Sequence, residues 1–220
     1  MFAVVFEVQP RSDKWDDYLG LAQLLKPELQ AIDGFIDVTR YHSLARPGWL
    51  LSLSIWRDEK ALVRWRTQAK HHGAQERGRS EIFGDYHLRV GQITRDTAEA
   101  DLPEQRLDET AVGAGTTVTL VSGKRPPEWV KQNGAQAVAA DLGLKPEAAG
   151  LVAWDVFDAV LAPGEVILLL SWRDQAAAEA FEAARSGPDA GWLRRVRIVR
   201  DYGMFDRREA PQYYPDAARR

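Results

Sequence analysis

The chain has no cysteine, one asparagine (Asn133), two methionines and four histidines. Without a thiol it has no disulfide, no thiolate metal site and no cysteine nucleophile. No apolar run approaches the roughly 18 residues of a membrane-spanning helix. The opening MFAVVFEVQP lacks the charged n-region and small-residue cleavage site of a secretory leader. A basic excess is also missing: net charge is −3, which argues against a dedicated nucleic-acid binder. No G-x-G-x-x-G, P-loop or G-x-S-x-G motif occurs, and no two histidines have H-x-x-x-H spacing. The expectation is a cytoplasmic protein with no nucleic-acid and no membrane partner. What the chain does have is 220 residues, 45% of them hydrophobic, which suffices for one large or two small cores. Its eight tryptophans offer large flat surfaces for burial or for a ligand.

The chain contains itself twice. Trp56-Arg57-Asp58 returns 116 residues later as Trp172-Arg173-Asp174. The same offset carries Gly34 to Gly150, Pro47-Gly48 to Pro163-Gly164, and Asp85-Tyr86 to Asp201-Tyr202. The matches fall on turns and strand ends, as a shared scaffold requires. We read a first domain over 1–95, a polar linker over 96–114, a second, diverged domain over 115–208 and a tail over 209–220.

Within the first copy, FAVVFEV reads as a strand buried on both faces. Trp15 to Leu29 has helical spacing, Phe35 to His42 alternates, and Arg46-Pro47-Gly48 is a turn. Trp49 to Trp56 alternates again. Asp58 opens a helix predicted to reach His72, with Gly73 as its cap, and Ile82 to Ile93 is a last strand. The order β-α-β-β-α-β is ferredoxin-like, an α+β arrangement with helices on one sheet face. The bare face needs a cover, and two copies can supply it to each other, sheet against sheet. A single chain then forms the whole unit as a monomer, while a homodimer of such chains is equally allowed.

All four histidines (His42, His71, His72, His87) lie in the first copy. At the 116-residue offset the second copy has Asp158, Gly187, Pro188 and Gly203, so proton transfer, if present, belongs to the first copy. On a continuous helix Trp65 and His72 share the face turned to the sheet, and His71 points outward. A structural alternative for His72 is the helix C-terminal dipole. The stretch Gly73 to Arg79 reads as a mobile loop over a pocket mouth. There Arg77 and Arg79 are candidates for holding a ligand carboxylate, the alternative being plain solvation. On the last strand His87 shares a face with Phe83, Asp85 and Arg89.

With Ser54-Ile55-Trp56-Arg57-Asp58 ending a strand, Trp65 on the following helix and His71-His72 closing it, the chain resembles the antibiotic biosynthesis monooxygenase family of dimeric α+β barrels. The resemblance covers nearly all of the first copy and is fainter in the second. It implies a pseudo-dimeric barrel and a cofactor-independent monooxygenase acting on a small aromatic or polyketide-like molecule. The implied pocket lies between sheet and helices of the first copy. Trp65, His71, His72 and His87 are the implied catalytic candidates, and no cofactor is required. The alternative is a non-catalytic binder of a small molecule or heme. The heme-degrading branch adds a strand-one Asn to a helix Trp and His, and the first copy contains no Asn, which ranks heme degradation third.

Overall fold

The computed structural model describes residues 1–99, 102, 108–185 and 191–217. The first half runs β1 (Phe2–Pro10), α1 (Trp15–Gln30), β2 (Phe35–Ser43), β3 (Leu50–Trp56), α2 (Glu59–Thr67), α3 (Ala69–Arg77), a π-helical turn (Gly78–Ile82) and β4 (Phe83–Asp96). The second runs β5 (Thr117–Lys124), α4 (Pro127–Asp141), β6 (Leu151–Ala159), β7 (Glu165–Trp172), α5 (Gln175–Ala183) and β8 (Leu193–Gly203). The fold is the expected ferredoxin-like α+β type, built twice.

The two sheets do more than face each other. They join edge to edge into one closed barrel of order β1-β3-β2-β6-β7-β5-β8-β4. β4 and β8 pair from His87↔Gly203 to Asp96↔Arg194, and β2 and β6 from Tyr41↔Ala159 to Ser43↔Phe157. Closure removes the free edges that an open sheet exposes. Inward residues such as Val5, Leu53, Leu120, Phe157, Ile167 and Ile198 fill the lumen. Outward residues meet the helices.

Local chemistry repeats between halves. Asp58 caps α2 by accepting from Ala61 N at 2.8 Å, and Asp174 caps α5 by accepting from Ala177 N at 2.9 Å. Gly34 and Gly150 open β2 and β6 with φ of 90° and 82°, a conformation that favours glycine.

Two sequence expectations give way. The helix after Asp58 does not run on to His72. Gln68 is extended (ψ 131°) and its side chain accepts from His71 N at 2.8 Å, so a new helix starts there. Gly73 to Arg79 is accordingly helix and π-turn, not loop. The pairing of Asp85-Tyr86 with Asp201-Tyr202 also fails. Phe2 pairs with both Trp56 and Gln92, and Thr117 pairs with both Trp172 and Arg197. Gln92 therefore corresponds to Arg197, and Asp201 corresponds to Asp96. The α3 and π-turn segment has lengthened the first half, so the constant offset ends at α2. His87 thus corresponds to Trp192 rather than Gly203. Gly187 and Pro188, set against His71 and His72, lie outside the described residues.

The linker and tail lie partly outside them too. What is described packs on the barrel: Glu209 accepts hydrogen bonds from Thr110 Oγ1, Ala111 N and Asp201 N. Among the described residues no helix is long and apolar enough to cross a membrane.

Candidate functional site

The helix-facing sides of the two halves are packed differently. In the second half one transverse row of the sheet reads Val156, Leu168, Val121, Leu193. All four are buried, within one continuous core that includes Val138, Ala139 and Phe181. In the first half the equivalent row reads Arg40, Ser52, Phe6, Leu88, and all four are only half-buried. In the next row Leu170 is replaced by half-buried Ser54. The first-half core is correspondingly split. One cluster gathers Val8, Tyr18, Leu50, Phe83 and Tyr86, and another gathers Phe2, Leu29, Trp56, Ala61 and Trp65. Between them Val4, Phe6, Leu88 and Val90 keep partial exposure. The helix-facing side of the first half thus carries an arginine and two serines where the second half has a valine and two leucines.

Ser54 also serves the frame, since its Oγ accepts from Trp56 Nε1 at 2.9 Å. In the second half Trp172 uses Thr119 instead. Arg40 hydrogen-bonds the buried Tyr18 hydroxyl, whose pKa is raised, chiefly by burial and in spite of Arg40. The Nε of Arg40 is buried with no partner.

The helix break decides the histidines. Trp65 is buried on α2, and His71 stacks on it with centroids 4.0 Å apart and planes 13° off parallel. Nδ1 of His71 lies 2.9 Å from the Trp65 carbonyl. A carbonyl only accepts, so Nδ1 carries the proton, and Nε2 keeps its lone pair, 3.5 Å from the Gln75 amide nitrogen. Burial lowers the His71 pKa from 6.5 to about 4, leaving a neutral imidazole at neutral pH. His72, expected on the inner face, is exposed and lies beside Tyr214 of the tail (rings 5.6 Å apart). The two histidines have exchanged the faces that unbroken helical phase assigned them.

Neither arginine of that segment sits on a loop. Arg77 is exposed and pairs with Glu81 (3.1 Å) and Asp17 (3.8 Å). Arg79 is buried and donates to Tyr86 Oη (2.8 Å), Met204 O (3.2 Å) and Pro215 O (3.1 Å), which ties the tail to the first half. Gln212 adds a bond to Gln75 Oε1 at 2.9 Å.

His87 stands apart from Trp65 and His71, at one end of the barrel lumen, in a cavity of about 550 Å³ bordered by both halves. Its Nε2 lies 2.6 Å from Asp201 and its Nδ1 3.7 Å from Glu7. Glu7 also receives Arg89 (2.6 Å) and Arg46 (2.5 Å), and Arg46 reaches Asp155 (2.6 Å). Burial pushes the Glu7 carboxyl up, but Arg89, then Arg46 and His87, outweigh it and hold it below the usual range. Asp155 goes the other way: burial raises it more than Arg46 lowers it. The opposite end has Ser122, Trp192, Thr39 and Ile55 at the positions of Glu7, His87, Asp155 and Ser171. There Trp192, Met1 and Leu102 pack against the lumen core and Arg194 lies 4.4 Å over Trp192.

Sequence reasoning missed the polar positions Arg40, Ser52 and Ser54 and the lumen network. Comparison of the two copies held the first signal, because Arg40/Val156, Ser52/Leu168 and Ser54/Leu170 all lie at the 116-residue offset. For the second, the charge of Glu7 inside an apolar strand was the clue.

Two ferredoxin-like halves joined into one closed eight-stranded barrel define a tandem α+β barrel. Residues 1–77 match the family described as antibiotic biosynthesis monooxygenase. A curated protein of Pyricularia oryzae named jasmonate monooxygenase ABM is 49% identical over 226 residues, covering 99% of this chain and 100% of its own. The chain belongs to the antibiotic biosynthesis monooxygenase family. Among solved structures, an aldoxime dehydratase bound to butyraldoxime superposes with a TM-score of 0.56 at 11% identity, covering 90% of this chain and 79% of its own, and shows the fold alone. An anthrone oxidase-like protein aligns with a TM-score of 0.33 at 16% identity, over 96% of each chain.

Proposed function

We propose that the chain is a monooxygenase that uses O2 without a metal or organic cofactor on a small, mostly apolar molecule held in the first-half pocket. Family membership and the monooxygenase name of the 49%-identical relative support the reaction class. The observation that carries the location is the exchange of Val156, Leu168 and Leu170 for Arg40, Ser52 and Ser54. A fold that closes its second core with leucines opens its first with serines. The relative is named for jasmonate, a carboxylate, so the substrate classes are a small organic acid of that kind or a phenolic ring.

Trp65 presents one wall and fixes the plane of His71. His71 Nε2 receives the proton that the substrate loses. The resulting carbanion or enolate gives its electrons to O2, forming a C–O bond and a peroxide. Loss of water leaves a carbonyl: CH2 plus O2 becomes C=O plus H2O, with all four electrons from the substrate. Proton transfer by a positioned side chain contributes about 10²–10⁴-fold. Oxygen uptake in the presence of a chelator and catalase is therefore expected to fall about 100-fold in His71→Ala and by less in Trp65→Phe, which keeps a ring for His71 to stack on. Undiminished turnover in both would remove these roles.

The lumen cavity favours a second reading, with His87 as the proton acceptor, because it offers about 550 Å³ and His87 is oriented there by Asp201. Loss of turnover in His87→Ala with His71→Ala unaffected would move the reaction to the barrel end.

A further inference from the structure

We infer that Arg40 is the specificity-determining residue of the first-half pocket and that it receives a carboxylate of the ligand. The inference rests on the pocket reading above. The fold does not need an arginine at this place, since Val156 fills the equivalent position and is fully buried. Arg40 is half-buried against Tyr18 of α1, and its Nε gives up hydration, a cost that an anionic partner offsets. Among the described residues no carboxylate lies within 4.0 Å of Arg40. Its side-chain partner is the neutral Tyr18 hydroxyl, and its Nε is buried without a partner. Directly across the strand pair Arg40 faces Ser52, whose hydroxyl is a further donor to an anionic oxygen. Beyond Ser52 the row continues with Phe6 and Leu88, an apolar track for the rest of the molecule. A carboxylate at Arg40 with a hydrocarbon body along that track satisfies both ends. The charge-assisted, fork-shaped contact of a guanidinium suits this group better than an ammonium would.

The test compares jasmonic acid with its methyl ester, by calorimetric titration of the full chain and of Arg40→Val, Arg40→Lys and Ser52→Leu. Each variant's fold is checked by near-ultraviolet circular dichroism. In the wild type the acid is expected to bind at least tenfold more tightly than the ester. Arg40→Val should bring the acid down to the ester's affinity, and Arg40→Lys should keep part of the preference. Ser52→Leu should lose both ligands. Equal binding of acid and ester by the wild type, or a preference that survives Arg40→Val, overturns the role of Arg40 while leaving the pocket standing. If neither ligand binds the wild type, or Ser52→Leu binds both unchanged, the pocket reading falls and the Arg40 inference with it.

Discussion

Ser52→Leu puts the hollow itself to the test, because the second half has already made the same choice at Leu168, which is fully buried. Leucine carries three more carbons than serine in place of the hydroxyl. At about 0.8 kcal/mol per buried CH2 the gain is about 2 kcal/mol. Fixing the leucine rotamer takes back about 0.5–1 kcal/mol. The net stabilisation is about 1–1.5 kcal/mol, or a Tm rise of about 2–3 °C for a chain of this size. No side-chain hydrogen bond of Ser52 is broken, unlike Ser54, whose hydroxyl accepts from Trp56 Nε1. If the space were already packed, the same substitution would overfill it and destabilise by about 1–3 kcal/mol. Differential scanning calorimetry thus reads a sign, not only a size. The expected result is a more stable protein with ligand binding reduced at least 100-fold. A lowered Tm would refute the claim that the first half contains open volume between sheet and helices.

Burial holds the His71 pKa near 4 against 6.5 for a free imidazole, so the unfolded chain binds more protons between those values. Stability is then full above about pH 6.5, falls as pH drops and levels below about pH 4; Tm against pH should show this slope, and His71→Gln should reduce it. Glu7→Gln leaves Arg46 and Arg89 without their shared carboxylate and should cost about 3–5 kcal/mol in urea unfolding, where an unchanged midpoint would mean that the lumen network is slack. Glu209→Ala removes the acceptor of Thr110, Ala111 and Asp201 and should cost about 1–3 kcal/mol, seen as earlier proteolysis of the tail. Hemin titration should give no saturable Soret shift, and a shift lost in His72→Ala would restore the heme-binding alternative.

Strand and helix periods, the Gly34/Gly150 turns and the Asp58/Asp174 caps are local events, so they were legible residue by residue. The match at Asp85-Tyr86 misled because two adjacent identities carry no record of an insertion between them and α2. Only the hydrogen-bonded register shows that Asp96 is the true partner of Asp201. His71 and His72 were assigned to the wrong faces because helical phase was extended through Gln68. A glutamine that caps a new helix looks in sequence like any other helical residue.

The sequence by itself determined that two ferredoxin-like units follow one another and that the first holds every histidine. Both follow from short-range periodicity and from counting. The tertiary structure decided that the units share one barrel, that His71 rather than His72 lies on Trp65, and that His87 belongs to a different cavity altogether. It also decided that Arg40 and Ser52 stand opposite each other on paired strands. Each of these depends on which strands pair and where a helix restarts, and pairing across a hundred residues is settled by the packed whole rather than by any neighbouring stretch of chain.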